Sequence, residues 1–279
     1  MNYSRPGADQ LLTQRSPRVV AARRLSRRRH RDAEGLFLAE GPQAVREALR
    51  EPEWVRDVYA TPEVIARHRD LVAVAEAAGV AVLPANEAAI TALTETVTPQ
   101  GIVAVCRHRH HPGVDSLIEV PRLAVVLAGI SDPGNAGTVL RTADAAGAGA
   151  VVFPDGSVDP YNGKCVRSSA GSLFHLEVVR GGSAGEAVLG LRAAGLAVLA
   201  ADAYGNEDLD DLADRDALGA PTAWLFGSEA HGLPDELAGL ADARVRVPIH
   251  GRAESLNLAA AAAVCLYASA RALRPTRSV

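Results

Sequence analysis

Long apolar runs are missing from this sequence. None reaches the roughly 20 residues that span a bilayer; the longest alanine-rich stretch, Leu258 to Ala270, is too short. Cysteine is scarce. Cys106, Cys165 and Cys265 are odd in number and far apart, which fits neither a disulfide framework nor a zinc site. The first ten residues, MNYSRPGADQ, lack the apolar core of a secretory signal. Lysine is nearly absent: Lys164 is the one lysine among 29 basic residues, a bias that lowers the weight of any single arginine. These absences argue against membrane-spanning and disulfide-rich secreted classes. The expectation is a cytoplasmic protein with no metal and no membrane partner. What is present is globular in kind, with 48% hydrophobic and 22% charged residues over 279. That length suits one large domain or two modest ones.

Charge is unevenly spread. Residues 1–50 carry eleven arginines against five acids, a balance of +6, while the remainder carries −10. Between Ser16 and Arg31 lie Arg18, Arg23, Arg24, Arg27, Arg28, Arg29 and Arg31 with no acid. Such a run is an electrostatic footprint for phosphate. A solvated basic helix or a frayed arm explains it equally well.

From Gly35 the pattern alternates. Leu36–Ala39 is a short apolar run, and Glu40-Gly41-Pro42 opens a helix to about Arg50. Val55–Ala60 reads as a strand; Thr61-Pro62-Glu63 reads as a helix start, with the helix running to Gly79. Val80–Leu83 is strand-like, Asn86 caps a helix to about Val97, and Gly101–Arg107 is a β-branched run. The polar stretch His108-Arg109-His110-His111-Pro112-Gly113 reads as a solvated connection, since its histidine spacing matches no metal ligand set. The expected division is 1–108, a connection over 109–121, and a second domain over 122–279.

Leu123–Ala128 is almost wholly apolar, as in a strand covered on both faces. Thr138–Ala146 then reads as helix and Ala150–Phe153 as strand, a βαβ unit. A helix over Ala184–Ala194, strands at Leu196–Ala201, Thr222–Phe226 and Val245–Ile249, and a final helix from about Ser255 complete an α/β, doubly wound parallel sheet. Ligands bind such sheets outside the carboxyl ends of the strands.

Three loops leave those ends with unusual content. The first, Asp132-Pro133-Gly134-Asn135-Ala136-Gly137-Thr138-Val139-Leu140-Arg141-Thr142-Ala143, holds glycines before a helix. It is not G-x-G-x-x-G, and no G-K-[ST] follows, so neither a dinucleotide nor a P-loop nucleotide is supported. The second, Leu225-Phe226-Gly227-Ser228-Glu229-Ala230-His231-Gly232-Leu233-Pro234, presents Glu229 between glycines but is not a nucleophile elbow. The third, Val247-Pro248-Ile249-His250-Gly251-Arg252-Ala253-Glu254-Ser255-Leu256-Asn257-Leu258, runs into the alanine-rich helix. Each has an ordinary structural reading by itself: a tight turn, a capped turn, and an N-cap at Ser255.

Taken together the three stretches resemble the SpoU, or TrmH, branch of the SPOUT RNA ribose 2′-O-methyltransferases, over Arg122 to about Leu273. Lys164-Cys165-Val166-Arg167-Ser168-Ser169-Ala170-Gly171-Ser172-Leu173-Phe174-His175 adds a fourth similar stretch. Residues 16–107 resemble the small RNA-binding domain, related to kink-turn binders, that often precedes this catalytic domain; Phe37-Leu38-Ala39-Glu40-Gly41 carries most of that likeness.

The resemblance implies a C-terminal trefoil knot, which periodicity and spacing do not reveal. It implies an S-adenosylmethionine site around Leu225, Phe226, Gly227, Val247, Ile249 and Leu256. It implies that Asn135, Arg141, Glu229, Ser255 and Asn257 line the reaction centre, with Arg141 given the activating role. A guanidinium holds its proton too tightly to be a good base. Orientation of the hydroxyl, stabilisation of the developing oxyanion, or neutralisation of an adjoining phosphate all remain open for Arg141. Arg23, Arg24, Arg27, Arg28 and Arg167 are the expected RNA contacts, and removal of residues 1–31 is expected to weaken RNA binding. A homodimer is implied as well. Large-subunit (23S) ribosomal RNA is the favoured substrate, in a housekeeping or an antibiotic self-resistance role. Transfer RNA as substrate and a catalytically silent RNA-binding protein are the alternatives. A hydrolase or dehydrogenase is disfavoured by the missing fingerprints.

Overall fold

The computed structural model describes residues 11–274. The ten N-terminal residues read above for a signal lie outside that range. Two compact units form. One runs to Arg109 and takes in Tyr161–Phe174; the other is His110–Pro160 with the chain from His175.

The first unit opens with two short helices, α1 (Pro17–Arg23) and α2 (Arg28–Glu34). They are followed by β1 (Leu36–Glu40), α3 (Pro42–Ala48), β2 (Val55–Ala60), α4 (Pro62–Arg67), α5 (Arg69–Ala77), β3 (Ala81–Pro84), α6 (Glu87–Leu93) and β4 (Ile102–Arg107). The strands form one sheet in the order β1-β4-β2-β3, with β4 antiparallel to both neighbours and β2 parallel to β3. The arginine-rich run is no frayed arm. Val19, Ala22 and Leu25 lie in a core cluster with Leu36, Leu38, Tyr59, Val103 and Val105. Removing residues 1–31 would therefore strip out core as well as charge.

Two helices differ from the expected bounds. The helix expected from Pro62 to Gly79 breaks at His68, whose φ −113° and ψ 52° are not helical, though neither proline nor glycine marks the spot. α6 stops at Leu93 because the Glu95 N–H donates to the Glu40 carboxylate (2.9 Å) rather than to the preceding turn. Thr61 and Asn86 do cap their helices, accepting from Val64 N and Ala89 N.

The second unit contains β5 (Leu123–Leu127), α7 (Pro133–Ala145) and β6 (Ala150–Phe153). The chain then gives Tyr161–Phe174, including α8 (Gly163–Ser168), to the first unit. It returns as β7 (Glu177–Arg180), α9 (Ala184–Ala193), β8 (Ala197–Ala201), β9 (Glu207–Asp208), α10 (Leu209–Asp214), β10 (Thr222–Phe226), α11 (Asp235–Ala238), β11 (Ala243–Arg246) and α12 (Leu258–Ala272). Seven strands pair in parallel in the order β7-β6-β5-β10-β8-β11-β9. β5 and β10 are buried along their whole lengths, as both-face coverage requires. Trp224 of β10, fully buried, donates its indole N–H to Ser269 Oγ of α12 at 2.9 Å. That bond fixes α12 against the sheet.

In the first unit the piece Tyr161–Phe174 is held by aromatic packing. Phe37 lies 4.7 Å from Tyr161 and 6.0 Å from Phe174, ring to ring, and Trp54 meets Phe174 edge-on at 5.5 Å. Gly171, at φ +100°, lies so close to α3 that a Cβ would fall 2.7 Å from Glu47 Cγ. The sequence expectation of one continuous second domain over 122–279 differs from this packing. The reason is the apolar load of the piece itself: Tyr161, Cys165, Val166, Leu173 and Phe174 are all buried.

The His108–Gly113 stretch, expected as a solvated connection, is ordered at both ends. His108 stacks on Tyr161 at 4.1 Å. His111 N donates to Val178 O, and Arg180 N donates to His111 O.

Candidate active site

The ends of β5 and β10, adjacent in the sheet, carry the first two loops. After β10 the chain turns back on itself: Ser228 and Gly232 exchange both backbone hydrogen bonds, at 3.0 and 2.8 Å. Gly227 makes this turn fit. A Cβ there would sit 2.3 Å from the carbonyl carbon of Gly232, so the missing side chain is required by the protein's own backbone. The tip of the turn holds Glu229.

Four donors reach the Glu229 carboxylate. Oε2 accepts from Ser131 N (3.2 Å) and Ser131 Oγ (3.3 Å); Oε1 accepts from Asp132 N (3.3 Å) and Asn135 Nδ2 (3.1 Å). Partial burial pushes this carboxyl up, but the hydrogen bonds from Asn135 and from backbone N–H groups, Ser131 and Asp132 among them, outweigh it and hold it below the ordinary glutamate range. Asn135 in turn accepts from Asn257 Nδ2 at 3.2 Å, and Asn257 Oδ1 accepts from Ala259 N (2.9 Å) and Ala260 N (3.4 Å). The three sequence motifs thus meet in one chain of bonds: Glu229, Asn135, Asn257, and the first turn of α12.

Local folding sets these positions, and it differs from the sequence reading twice. The helix expected from Thr138 starts at Pro133, with Asp132 Oδ1 accepting from Gly134 N at 2.5 Å. Gly134 and Gly137 therefore lie in α7, not in a loop. The helix expected from Ser255 starts at Leu258, with Asn257 as its N-cap. Ser255 is exposed and lies two residues outside the cap.

Arg141 stands on α7 six residues after Asn135, about 9 Å further along the axis at 1.5 Å per residue. It is exposed and pairs with no carboxylate among the described residues. Leu225, Phe226 and Gly227 are buried at the end of β10. β11 ends at Arg246, earlier than the expected Ile249, so Val247–Leu256 lies outside regular structure. Two large apolar side chains in that stretch stand open, Ile249 at 38% and Leu256 at 39% exposure. Open apolar side chains beside main-chain groups not used in a strand ladder fit the adenine and ribose of S-adenosylmethionine.

Sequence reasoning missed Ser131 and Ser157. Ser131 gives Glu229 two of its four donors. Ser157 Oγ donates to Leu127 O (2.6 Å) and accepts from Gly129 N (3.0 Å), closing the turn after β5. Ser131 was legible as the residue before an Asp-Pro helix start; nothing local marks Ser157.

The expected RNA-contact arginines divide. Arg23, Arg24 and Arg27 are exposed. Arg28 pairs with Asp32 at 3.6 Å. Arg167, three-quarters buried, pairs with Glu40 (3.1 Å) and Glu95 (3.7 Å), so its charge is already matched inside the first unit. No group of three His, Cys, Asp or Glu side chains is placed to hold a metal ion among the described residues.

Residues 122–267 match the SpoU rRNA Methylase family, and residues 16–104 match the MRM3-like substrate binding domain. The chain is 34% identical to the Bacillus subtilis 23S rRNA (guanosine(2553)-2′-O)-methyltransferase RlmP, covering 92% of this chain and 98% of that protein. The chain belongs to the SpoU methylase family. Solved methyltransferase structures agree with its fold. The AdoMet-bound rRNA methyltransferase from Sinorhizobium meliloti is 34% identical with a TM-score of 0.82, over 95% of this chain and 99% of that one. The SpoU methyltransferase AviRb from Streptomyces viridochromogenes, in complex with AdoMet, is 31% identical with a TM-score of 0.78, over 92% and 98%.

Proposed function

We propose that this chain transfers a methyl group from S-adenosylmethionine to a ribose 2′-hydroxyl of RNA, with large-subunit ribosomal RNA as the substrate. The observation that carries the reading is the bonded chain Glu229–Asn135–Asn257, which joins three distant sequence motifs at the carboxyl ends of parallel strands. The RNA relatives support the choice of substrate: RlmP and several RlmB proteins are named as 23S rRNA 2′-O-methyltransferases.

Held by the backbone around Leu225, Phe226, Gly227, Val247, Ile249 and Leu256, S-adenosylmethionine would supply an activated methyl group. The chain's residues place the acceptor. The 2′-oxygen must come within about 3–3.5 Å of the methyl carbon and lose its proton. Glu229 is a poor base for this, because its carboxylate already accepts four hydrogen bonds and is held ionised. Its role is to fix Asn135, which with Asn257 orients the ribose. Arg141 offers a free planar fork of donors that orients the hydroxyl and stabilises the oxyanion as its proton passes to solvent water; the oxygen then takes the methyl group and the sulfur keeps the electron pair of the broken bond. Ser255 would hold a main-chain group or the amino-acid end of the methyl donor. The first unit, which takes in Tyr161–Phe174, grips the RNA, the second unit carries the reaction, and a trefoil knot and a homodimer complete the site, in the cytoplasm.

The test is transfer of labelled methyl to naked large-subunit rRNA, small-subunit rRNA and total tRNA, with Arg141→Ala as control. Incorporation into large-subunit rRNA, lost in the variant and alkali-resistant at the modified site, is the expected result. Incorporation into tRNA alone overturns the substrate choice, and none with intact donor binding overturns the reaction.

A further inference from the structure

The arginine-rich run builds a concavity within the first unit that the catalytic reading does not use. It encloses about 350 Å³ and is lined by Val20, Arg23, Arg24, Ser26, Arg27 and His30. Another arginine ties down the turn that carries Ser26, one of these lining residues. Arg31 is only 3% exposed and donates through Nη1 to Leu25 O (3.0 Å) and Ser26 O (2.9 Å). That spends Arg31 on the turn between α1 and α2, while Arg23, Arg24 and Arg27 stand exposed around the opening.

Of the nineteen described arginines outside this run, ten have a carboxylate: Arg46, Arg50, Arg56, Arg109, Arg167, Arg180, Arg192, Arg215, Arg244 and Arg246. Arg23, Arg24 and Arg27 have none among the described residues. Three unmatched guanidiniums around one hollow are repulsive unless an anion enters. Planar guanidinium forks match a phosphate bidentately. Val20, an apolar wall at 42% exposure, is wasted on an inorganic ion and suits the face of a sugar or a base. The volume lies in the range of small-ligand sites.

We propose that this hollow holds one phosphodiester with its nucleoside, taken from an unpaired stretch of the RNA, as an anchor outside the reaction centre. The inference rests on RNA being the substrate. It narrows the expected contacts Arg23, Arg24, Arg27 and Arg28 of this run to three that bind, adds Val20 and His30, and gives Arg31 a positioning role.

The test compares the full chain with the triple variant Arg23→Ala, Arg24→Ala, Arg27→Ala. Binding to a fragment of large-subunit rRNA is measured over a range of KCl, alongside methyl transfer. Single-stranded contacts contribute about 0.7 to the salt slope per phosphate neutralised, so loss of up to three lowers it by about 1–2. The expected result is that drop, a KM for RNA raised at least about tenfold, an unchanged kcat at saturating RNA, and an unchanged Tm. A lysine triple is expected to restore the slope. An unchanged slope in the folded alanine variant overturns the proposal. Competition by polyglutamate as effective as by RNA overturns it in favour of an acidic protein, and displacement of RNA by low-millimolar inorganic phosphate reduces it to a simple anion site. Binding that follows the variant while no RNA is methylated overturns the enzymatic reading alone; methylation with an unaltered slope overturns the anchor alone.

Discussion

Four donors converge on Glu229, and a glutamine there returns one oxygen and adds an amide that has donors of its own. At least one of the contacts from Ser131, Asp132 and Asn135 must then face N–H against N–H. Hydrogen bonds to charged groups contribute about 1.5–3 kcal/mol, so Glu229→Gln is expected to cut methyl transfer roughly 10- to 150-fold. Donor affinity by calorimetry should hold. Because the folded carboxyl sits below the ordinary glutamate range, its contribution to stability is present above that range. It is lost as pH falls through the depressed folded value. The stability gap between wild type and Glu229→Gln should therefore close in acid, read as Tm against pH; a gap that widens in acid contradicts the assignment. Arg141→Ala is expected to abolish methyl transfer and leave donor binding near normal, since the side chain makes no carboxylate contact among the described residues. The buried thiols are expected to be silent. Burial pushes Cys265 up to about 12, so little thiolate forms, and a thiol reagent should label it only on unfolding.

Elements show where sequence reading succeeds and where it stops. β2 and β10 were legible to the residue, because runs such as Thr222–Phe226 leave few alternatives to a buried strand. Helix starts were less so. The sequence reading put the cap of α12 at Ser255; the cap is Asn257, whose bond to Asn135, 122 residues away, no local spacing reveals. The same long reach made Glu229 look like a surface turn residue until Ser131 and Asp132 were placed beside it. The contact of α12 with the sheet was equally hidden, since Trp224 and Ser269 lie 45 residues apart. Ser269→Ala leaves a fully buried indole N–H unpaired, which costs about 1–3 kcal/mol. Calorimetry should show Tm lowered by several degrees. An unchanged Tm would mean that water reaches Nε1.

For the whole molecule, the expectation that needed most revision concerns Arg167. The family resemblance marks it as an expected RNA contact. The structure gives it Glu40, only 8% exposed, and Glu95 as partners. Glu40 also holds Glu95 N and Thr96 Oγ1, so one carboxylate ties α8 and the end of α6 to β1. Glu40→Gln is expected to destabilise the first unit by about 1–3 kcal/mol, a figure reduced from the fully buried case because Arg167 is a quarter exposed. Urea unfolding followed by Trp54 fluorescence would measure it. The packing of Tyr161–Phe174 in the first unit also sets a schedule for the ribosome. When Arg109 emerges, that unit still lacks the piece that covers Phe37 and Trp54. At 5–20 residues per second, roughly 3–13 s pass before Phe174 follows. During that interval the nascent chain exposes an aromatic surface awaiting its own downstream sequence. Cellular folding of this protein is therefore expected to be more sensitive to slow codons between 110 and 160 than to slow codons after 174, and more dependent on chaperones that shield nascent apolar surface.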